Sequence, residues 1–322
     1  MSEKNSILKQ LELSALVPVV VLDDVESALP VAAALLKGNV NVMEITLRTD
    51  AAIESIKRVR KEYPEMICGA GTVNSIADAE RCQEAGAQFI VSPGFLPELV
   101  DWCIEHGMPT IPGCVTPSEI MMAKERGLKV LKFFPASVYG GLSAMKSLAG
   151  PFGDIKFIPT GGVNASNLAE FLAAPFVHSV GGSWLCSKND IAAGNFDKIS
   201  KLCKEAIDIV LGFELSHVGI NTASEGDALE VADRFQAMFN FIPKNGNSSV
   251  FAGNGIEVLK TQYLGEHGHI GIGTANIERA VDHLQKLGFK MDSSTAKYKG
   301  EKLIAIYLAE EMEGFAIHLV QK

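Results

Sequence analysis

Apolar and polar positions alternate in two rhythms along the first two thirds of the chain. Residues 17–22 form a β-branched apolar run, and residues 25–36 repeat apolar side chains at helical spacing. The same pairing recurs at 42–48 with 51–61, 67–73 with 76–85, 89–94 with 98–106 and 110–114 with 117–126. It continues at 130–136 with 142–148, 156–160 with 168–173, and 177–181 with a helix near 199–210. Strand–helix alternation predicts a parallel sheet. Eight units in about 200 residues predict a closed (β/α)8 TIM barrel, with an open doubly wound sheet as the alternative.

From Phe213 the rhythm changes. A strand at 213–220, a helix at 227–239 and strands at 248–252 and 256–263 are followed by a second set: a strand at 268–272, a helix at 277–287 and strands at 303–308 and 315–320. His217-Val218-Gly219-Ile220 and His269-Ile270-Gly271-Ile272 open the two sets, an internal repeat of about 52 residues. The expected organisation is a barrel over residues 1–211 and a smaller α+β domain of two βαβββ-like repeats over 212–322.

Polar residues that break the apolar pattern carry the candidate chemistry. Lys132 interrupts Val130-Leu131-Lys132-Phe133-Phe134-Pro135-Ala136. A charged amine inside a strand is costly unless paired or neutral. One reading is a lysine that snorkels or finds a carboxylate. The other is an amine whose pKa falls on desolvation, so that it can form a Schiff base with a ketone. In the second strand Glu44, Thr46 and Arg48 share one face, opposite Met43, Ile45 and Leu47. Pointing inward, they are either a structural pair or an acid/base with an anion clamp. Thr160-Gly161-Gly162 and Gly181-Gly182-Ser183 end the last two strands, where barrels place phosphate sites.

Composition narrows the class. The chain is 47% hydrophobic and 21% charged, as in ordinary globular proteins, and its net charge of −9 opposes nucleic acid or an anionic membrane as partner. No apolar run reaches the ~20 residues of a membrane helix, and no secretory signal is visible. The six cysteines show no metal-type spacing, which fits reduced, mostly buried thiols in a cytoplasmic protein.

Taken together, Val42-Met43-Glu44-Ile45-Thr46-Leu47-Arg48-Thr49, Gly69-Ala70-Gly71-Thr72-Val73, Ser92-Pro93-Gly94, Lys132-Phe133-Phe134-Pro135-Ala136, Pro159-Thr160-Gly161-Gly162 and Gly181-Gly182-Ser183-Trp184-Leu185 resemble the 2-keto-3-deoxy-6-phosphogluconate / 4-hydroxy-2-oxoglutarate (KDPG/KHG) aldolases. The resemblance implies a carbon–carbon lyase with a lysine Schiff base and no cofactor. It acts on a small 2-keto acid and assembles as a homotrimer through the barrel. Cleavage of 2-keto-3-deoxy-6-phosphogluconate gives pyruvate and glyceraldehyde 3-phosphate; cleavage of 4-hydroxy-2-oxoglutarate gives pyruvate and glyoxylate. It further implies Lys132 and Glu44 as catalytic, Arg48, Thr72 and Thr160 at the substrate carboxylate, and Gly161, Gly162, Gly182 and Ser183 at the phosphate. One departure leaves the need for a phosphate open: the first strand runs into Asp23-Asp24, without the basic residue that some relatives carry there.

The C-terminal segment resembles the vicinal oxygen chelate superfamily. That likeness implies a divalent metal held by His217, Glu257, His269 and His318, the last a departure because the superfamily more often has glutamate there. Two other readings are a bifunctional protein with a metal-dependent C-terminal activity and a barrel reused as a sensor of small molecules or metal.

Overall fold

In the computed structural model, which describes residues 3–322, the alternation resolves as follows. Helix α1 (Glu3–Ser14) leads into β1 (Leu16–Val20) and α2 (Ala28–Lys37). Then come β2 (Val42–Thr46), α3 (Ala52–Glu62), β3 (Ile67–Gly71), α4 (Ile76–Glu84), β4 (Ile90–Ser92) and α5 (Pro97–Glu105). They are followed by β5 (Thr110–Pro112), α6 (Pro117–Glu125), β6 (Val130–Phe133), α7 (Gly141–Ala149), β7 (Lys156–Pro159), α8 (Leu168–Ala173) and β8 (Val180–Gly182). Helices α9 (Lys188–Ala192) and α10 (Phe196–Leu211) close this part.

Local chemistry starts several of these helices. Proline opens α5 and α6, and at α6 the Thr116 hydroxyl accepts from the Glu119 backbone N–H while the Glu119 carboxylate accepts from the Thr116 N–H. Strands lie in the order β5-β4-β3-β2-β1-β8, with β6 and β7 paired apart. Single parallel bridges, Gly113 with Lys132 and Thr160 with Gly181, join those two groups at both ends. Neighbour order therefore runs through all eight strands and returns.

What fills that ring positions the site. Ile7 and Leu11 of α1 join Val17, Val42, Ile67, Phe89, Val91, Ile111, Val130 and Ile158 in one buried cluster. Burying each such large side chain is worth about 1.5–3 kcal/mol. Two residues onward from Val42, Val130 and Ile158, on the same strand face, come Glu44, Lys132 and Thr160. Apolar side chains thus plug the N-terminal end of the ring and leave its polar residues at the C-terminal end. Strands are shorter than their apolar runs predict. Arg48 lies in the turn after β2, not in the strand, and the last strand starts at Val180. All six cysteines are buried thiols. Burial pushes those of Cys68, Cys82, Cys114 and Cys203 up to about 12. Among the described residues no helix is long and apolar enough to cross a membrane.

The chain divides at Val210/Leu211 into two units. The second runs β9 (Glu214–Asn221), α11 (Glu225–Phe239), β10 (Pro243–Asn245), β11 (Ser249–Ala252), β12 (Ile256–Leu259), then β13 (Gly268–Thr274), α12 (Ile277–Lys286), β14 (Met291–Lys299), β15 (Lys302–Met312) and β16 (Phe315–Gln321). Its strands form one sheet, β10-β11-β12-β9-β13-β16-β15-β14. β9 and β13 meet antiparallel at the centre, with β12 parallel beside β9 and β16 parallel beside β13. Ala228 and Ala232 of α11 pack on Val250, Ala252 and Val258. β10 and β14 have no apolar alternation because both are edge strands with one side in solvent, and the sequence pattern does not show them.

Candidate active site

β2 and β6 lie opposite one another in the ring, so their inward side chains must be long to meet. Lys132 and Glu44 are. The Lys132 ammonium Nζ donates to Glu44 Oε1 at 3.2 Å, with the lysine side chain 9% and the glutamate 3% exposed. Room for Glu44 comes from Gly71 on the adjacent strand: a Cβ there would sit 2.1 Å from Glu44 Oε1. Lys132 Nζ also stands 5.4 Å from the centre of the Phe134 ring, and Phe134 lines a cavity of about 710 Å³. The buried pair therefore stands next to a side chain that lines an open chamber.

Arg48, Thr160, Gly161, Gly162, Gly182 and Ser183 line that same chamber. Gly161 and Gly162 have φ of +90° and +89°, which side chains rarely adopt, and a Cβ on Gly162 would lie 2.4 Å from that of Ser137. Thr160 packs against Gly181, where a Cβ would approach its hydroxyl to 2.3 Å. Thr72 sits just past β3 in the left-handed region, φ 59°, an uncommon conformation for a residue with a side chain. Arg48, Thr160 and the two glycine loops thus meet at one mouth, and Thr72 is not among the residues that line it.

Comparison with known proteins gives the family. A family model described as "KDPG and KHG aldolase" matches residues 7–202. The chain belongs to the KDPG and KHG aldolase family. A 2-dehydro-3-deoxy-phosphogluconate aldolase of Treponema pallidum is 45% identical over 205 residues, covering 64% of this chain and 98% of that protein. A KHG/KDPG aldolase of Escherichia coli K12 is 45% identical over 192 residues, covering 60% and 90%. The crystal structure of KDPG aldolase from Legionella pneumophila, with pyruvate captured at low pH as a covalent carbinolamine, superimposes with a TM-score of 0.60 at 37% identity over 63% of this chain and 97% of that one. Residues up to Val210 have the α/β fold of these aldolases, and the enzyme is a carbon–carbon lyase.

One cation at the chamber, Lys188, is not marked by the sequence pattern. It lines the chamber beside Ser187 and pairs with Asp23 at 2.9 Å. A single lysine in Ser187-Lys188-Asn189 carries no pattern, and only the fold brings it to the mouth.

The second unit has a cluster of its own. Nε2 of His217 lies 3.1 Å from Nε2 of His269 and 3.1 Å from Nε2 of His318. Oε2 of Glu257 lies 3.3 Å from His217 Nε2 and 3.2 Å from His269 Nε2. Each facing pair of nitrogens shares at most one N–H, and the tautomers set which ring carries it. A tetrahedral ion with bonds of about 2.0–2.1 Å keeps its ligand atoms about 3.3–3.4 Å apart, close to the observed spacing. Burial lowers His217 and, aided by the neighbouring histidines, brings His318 to about 3, so His318 is neutral. Burial would raise Glu257, but hydrogen bonds from His269 and Ser249 outweigh it and hold the carboxyl at about 2.

Ligating imidazoles usually donate their second nitrogen to an acceptor. Among the described residues Nδ1 of His269 and of His318 has no partner. Packing orients the rings instead. Tyr307 stacks on His318 at 4.5 Å and 12°. Gly219 faces His269 across the central pair, and Gly271 faces His217. A Cβ at either glycine would come within 2.1 Å or 2.5 Å of the ring. The His-x-Gly repeat is reciprocal: each copy's glycine makes the space for the other copy's histidine. Lys297, from the edge strand that the sequence pattern hides, lines the roughly 330 Å³ cavity over this cluster.

Proposed function

We propose that the unit up to Val210 is a (β/α)8 barrel acting as a class I aldolase on 2-keto-3-deoxy-6-phosphogluconate. The buried Lys132–Glu44 pair, beside the Phe134 ring that lines an open chamber, carries this reading. Lys132 passes its ammonium proton to Glu44, and the free amine adds to the C2 ketone. Glu44 returns the proton to the carbinolamine oxygen, which leaves as water and gives a protonated imine. The C3–C4 bond then breaks, and its electron pair moves into a C2–C3 enamine. Glu44, through a water, takes the C4 hydroxyl proton as glyceraldehyde 3-phosphate departs. The same carboxyl returns a proton to C3, and hydrolysis of the imine releases pyruvate and the free amine. Arg48, Thr72 and Thr160 hold the pyruvyl carboxylate, so that the amine meets C2 in one orientation. Gly161, Gly162, Gly182 and Ser183 hold the phosphate through backbone N–H groups and a hydroxyl. In 4-hydroxy-2-oxoglutarate the same bond breaks and glyoxylate leaves.

Borohydride reduction in the presence of pyruvate tests this directly. A stable adduct on Lys132 is expected in the wild type and none in Lys132→Met. An adduct of equal yield in the variant overturns the assignment.

We infer that Leu211–Lys322 is a pair of βαβββ repeats holding a divalent transition metal. The convergence of three Nε2 atoms and Glu257 Oε2 supports it. His217, His269, His318 and Glu257 would be the ligands, and a bound ion would act as a Lewis acid toward a ligand oxygen. Metal content per chain is expected near one in the wild type and near zero in His217→Ala. Equal content in the two proteins would sink the ligand set.

A further inference from the structure

The aldolase chamber contains a cation that neither the glycine loops nor the carboxylate clamp accounts for. Among the residues lining it, Arg48 and Lys188 are the two cations, and none is a carboxylate. Arg48 is assigned to the pyruvyl carboxylate. Lys188 follows Ser183, Trp184, Cys186 and Ser187 on the segment leaving β8, all of which line the chamber with it. Its ammonium is held 2.9 Å from a carboxylate oxygen of Asp23, in the turn after β1, and the two side chains are 58% and 54% exposed.

We propose that Lys188 is the residue that selects for phosphate in this aldolase, and that Asp23 holds it at the rim until the substrate phosphate replaces that carboxylate. The inference rests on the aldolase reading above. Backbone N–H groups and a serine hydroxyl orient phosphate oxygens but add no net charge. A phosphate monoester carries close to two negative charges at neutral pH, and a chain of net charge −9 disfavours its approach. A cation at the mouth offsets both. An exposed lysine–aspartate pair contributes little to stability, so exchanging one carboxylate for a phosphate costs little. The exchange gains a charge-assisted hydrogen bond to a more highly charged acceptor in a partly enclosed site. This also accounts for an acidic turn after the first strand. Asp23 is there for the lysine, not for the substrate.

The test compares 2-keto-3-deoxy-6-phosphogluconate with the same acid lacking the phosphate. In Lys188→Met the kcat/KM ratio of phosphorylated to unphosphorylated substrate should fall about tenfold, mainly through KM. Lys188→Arg should keep most of the ratio. Asp23→Asn, which frees the lysine, should raise it about two- to threefold. Inorganic phosphate should inhibit Lys188→Met about tenfold more weakly than wild type. A ratio unchanged in Lys188→Met overturns the proposal. So does an Asp23→Asn variant that behaves like Lys188→Met, because the pair would then be a structural staple. Pyruvate trapping keeps the two readings apart. Normal trapping with an unchanged ratio refutes Lys188 alone, whereas a wild type that traps nothing refutes the aldolase reading beneath it.

Discussion

Two sites in one chain assemble their reactive groups differently. In the first unit Lys132 and Glu44 come from strands on opposite sides of the ring and meet over its centre, so only long side chains can make the contact. In the second, His217, His269, His318 and Glu257 come from four consecutive strands of one sheet, and compact imidazoles suffice. The first site is asymmetric, one amine facing one carboxylate. The second is built from a repeated His-x-Gly unit, each half completing the other. Yet both depend on glycine in the same way. Gly71 clears space for Glu44, and Gly219 and Gly271 clear space for His269 and His217. The lesson is that a functional side chain in a packed sheet is specified partly by the residue missing beside it.

The largest expected effect lies on the asymmetric side. Glu44→Gln keeps the shape and removes the carboxyl proposed to carry protons, so kcat/KM for cleavage should fall about 10²–10⁴-fold. Metal content should not change. A loss below tenfold would mean that Glu44 only pairs with the lysine, and the assignment of distinct roles would fail.

The glycines offer a crossed experiment of intermediate size. Gly71→Ala pushes a methyl into Glu44 and should lower cleavage about 10–100-fold with metal content intact, at a stability cost of about 1–3 kcal/mol. Gly219→Ala pushes a methyl into His269 and should weaken metal binding about 10–100-fold with cleavage intact. Steady-state rates and metal titration on both variants give four readings. If either substitution moves the other unit's reading, the two sites are not separate devices, and the comparison breaks.

These glycines also mark the limit of what the sequence reveals. Gly71 and Gly219 are visible inside motifs, but the side chains they accommodate lie on other strands. Glu44 and Lys132 were legible because a lone charge in an apolar run, with period-two spacing, has few places to point. Arg48 was legible as a residue but not as a position, since the strand stops at Thr46 and the turn carries it to the mouth. The repeated histidines were legible, whereas the edge strand bearing Lys297 was not: its side chains are largely in solvent, and no alternation marks it. Lys188 left no trace at all, because its meaning is a meeting with Asp23 and the chamber that only tertiary structure creates.

The smallest effect separates the units by stability. Glu12 of α1 pairs with Lys156 at the start of β7, at the plugged end of the ring, with the glutamate side chain 27% exposed. Burial alone would raise its carboxyl. The Lys156 ammonium, with smaller help from Lys9 and His178, outweighs burial and holds it at about 2, against an ordinary value of 4.5. A carboxylate with a depressed folded-state pKa stabilises in full above its unfolded value and loses that contribution as pH falls through the folded one. Glu12→Gln should therefore cost about 1–2 kcal/mol at pH 7, allowing for solvent screening of a half-exposed partner. That corresponds to roughly 2–8 °C in the melting of a unit of this size. The difference from wild type should shrink steadily below pH 4.5 and approach zero near pH 2. The melting of Leu211–Lys322, which has no part in this pair, should stay where it is. Calorimetry of both proteins from pH 7 to pH 3 checks it, and a difference that persists undiminished at pH 3 would mean that glutamine fails at this site through packing, not through charge.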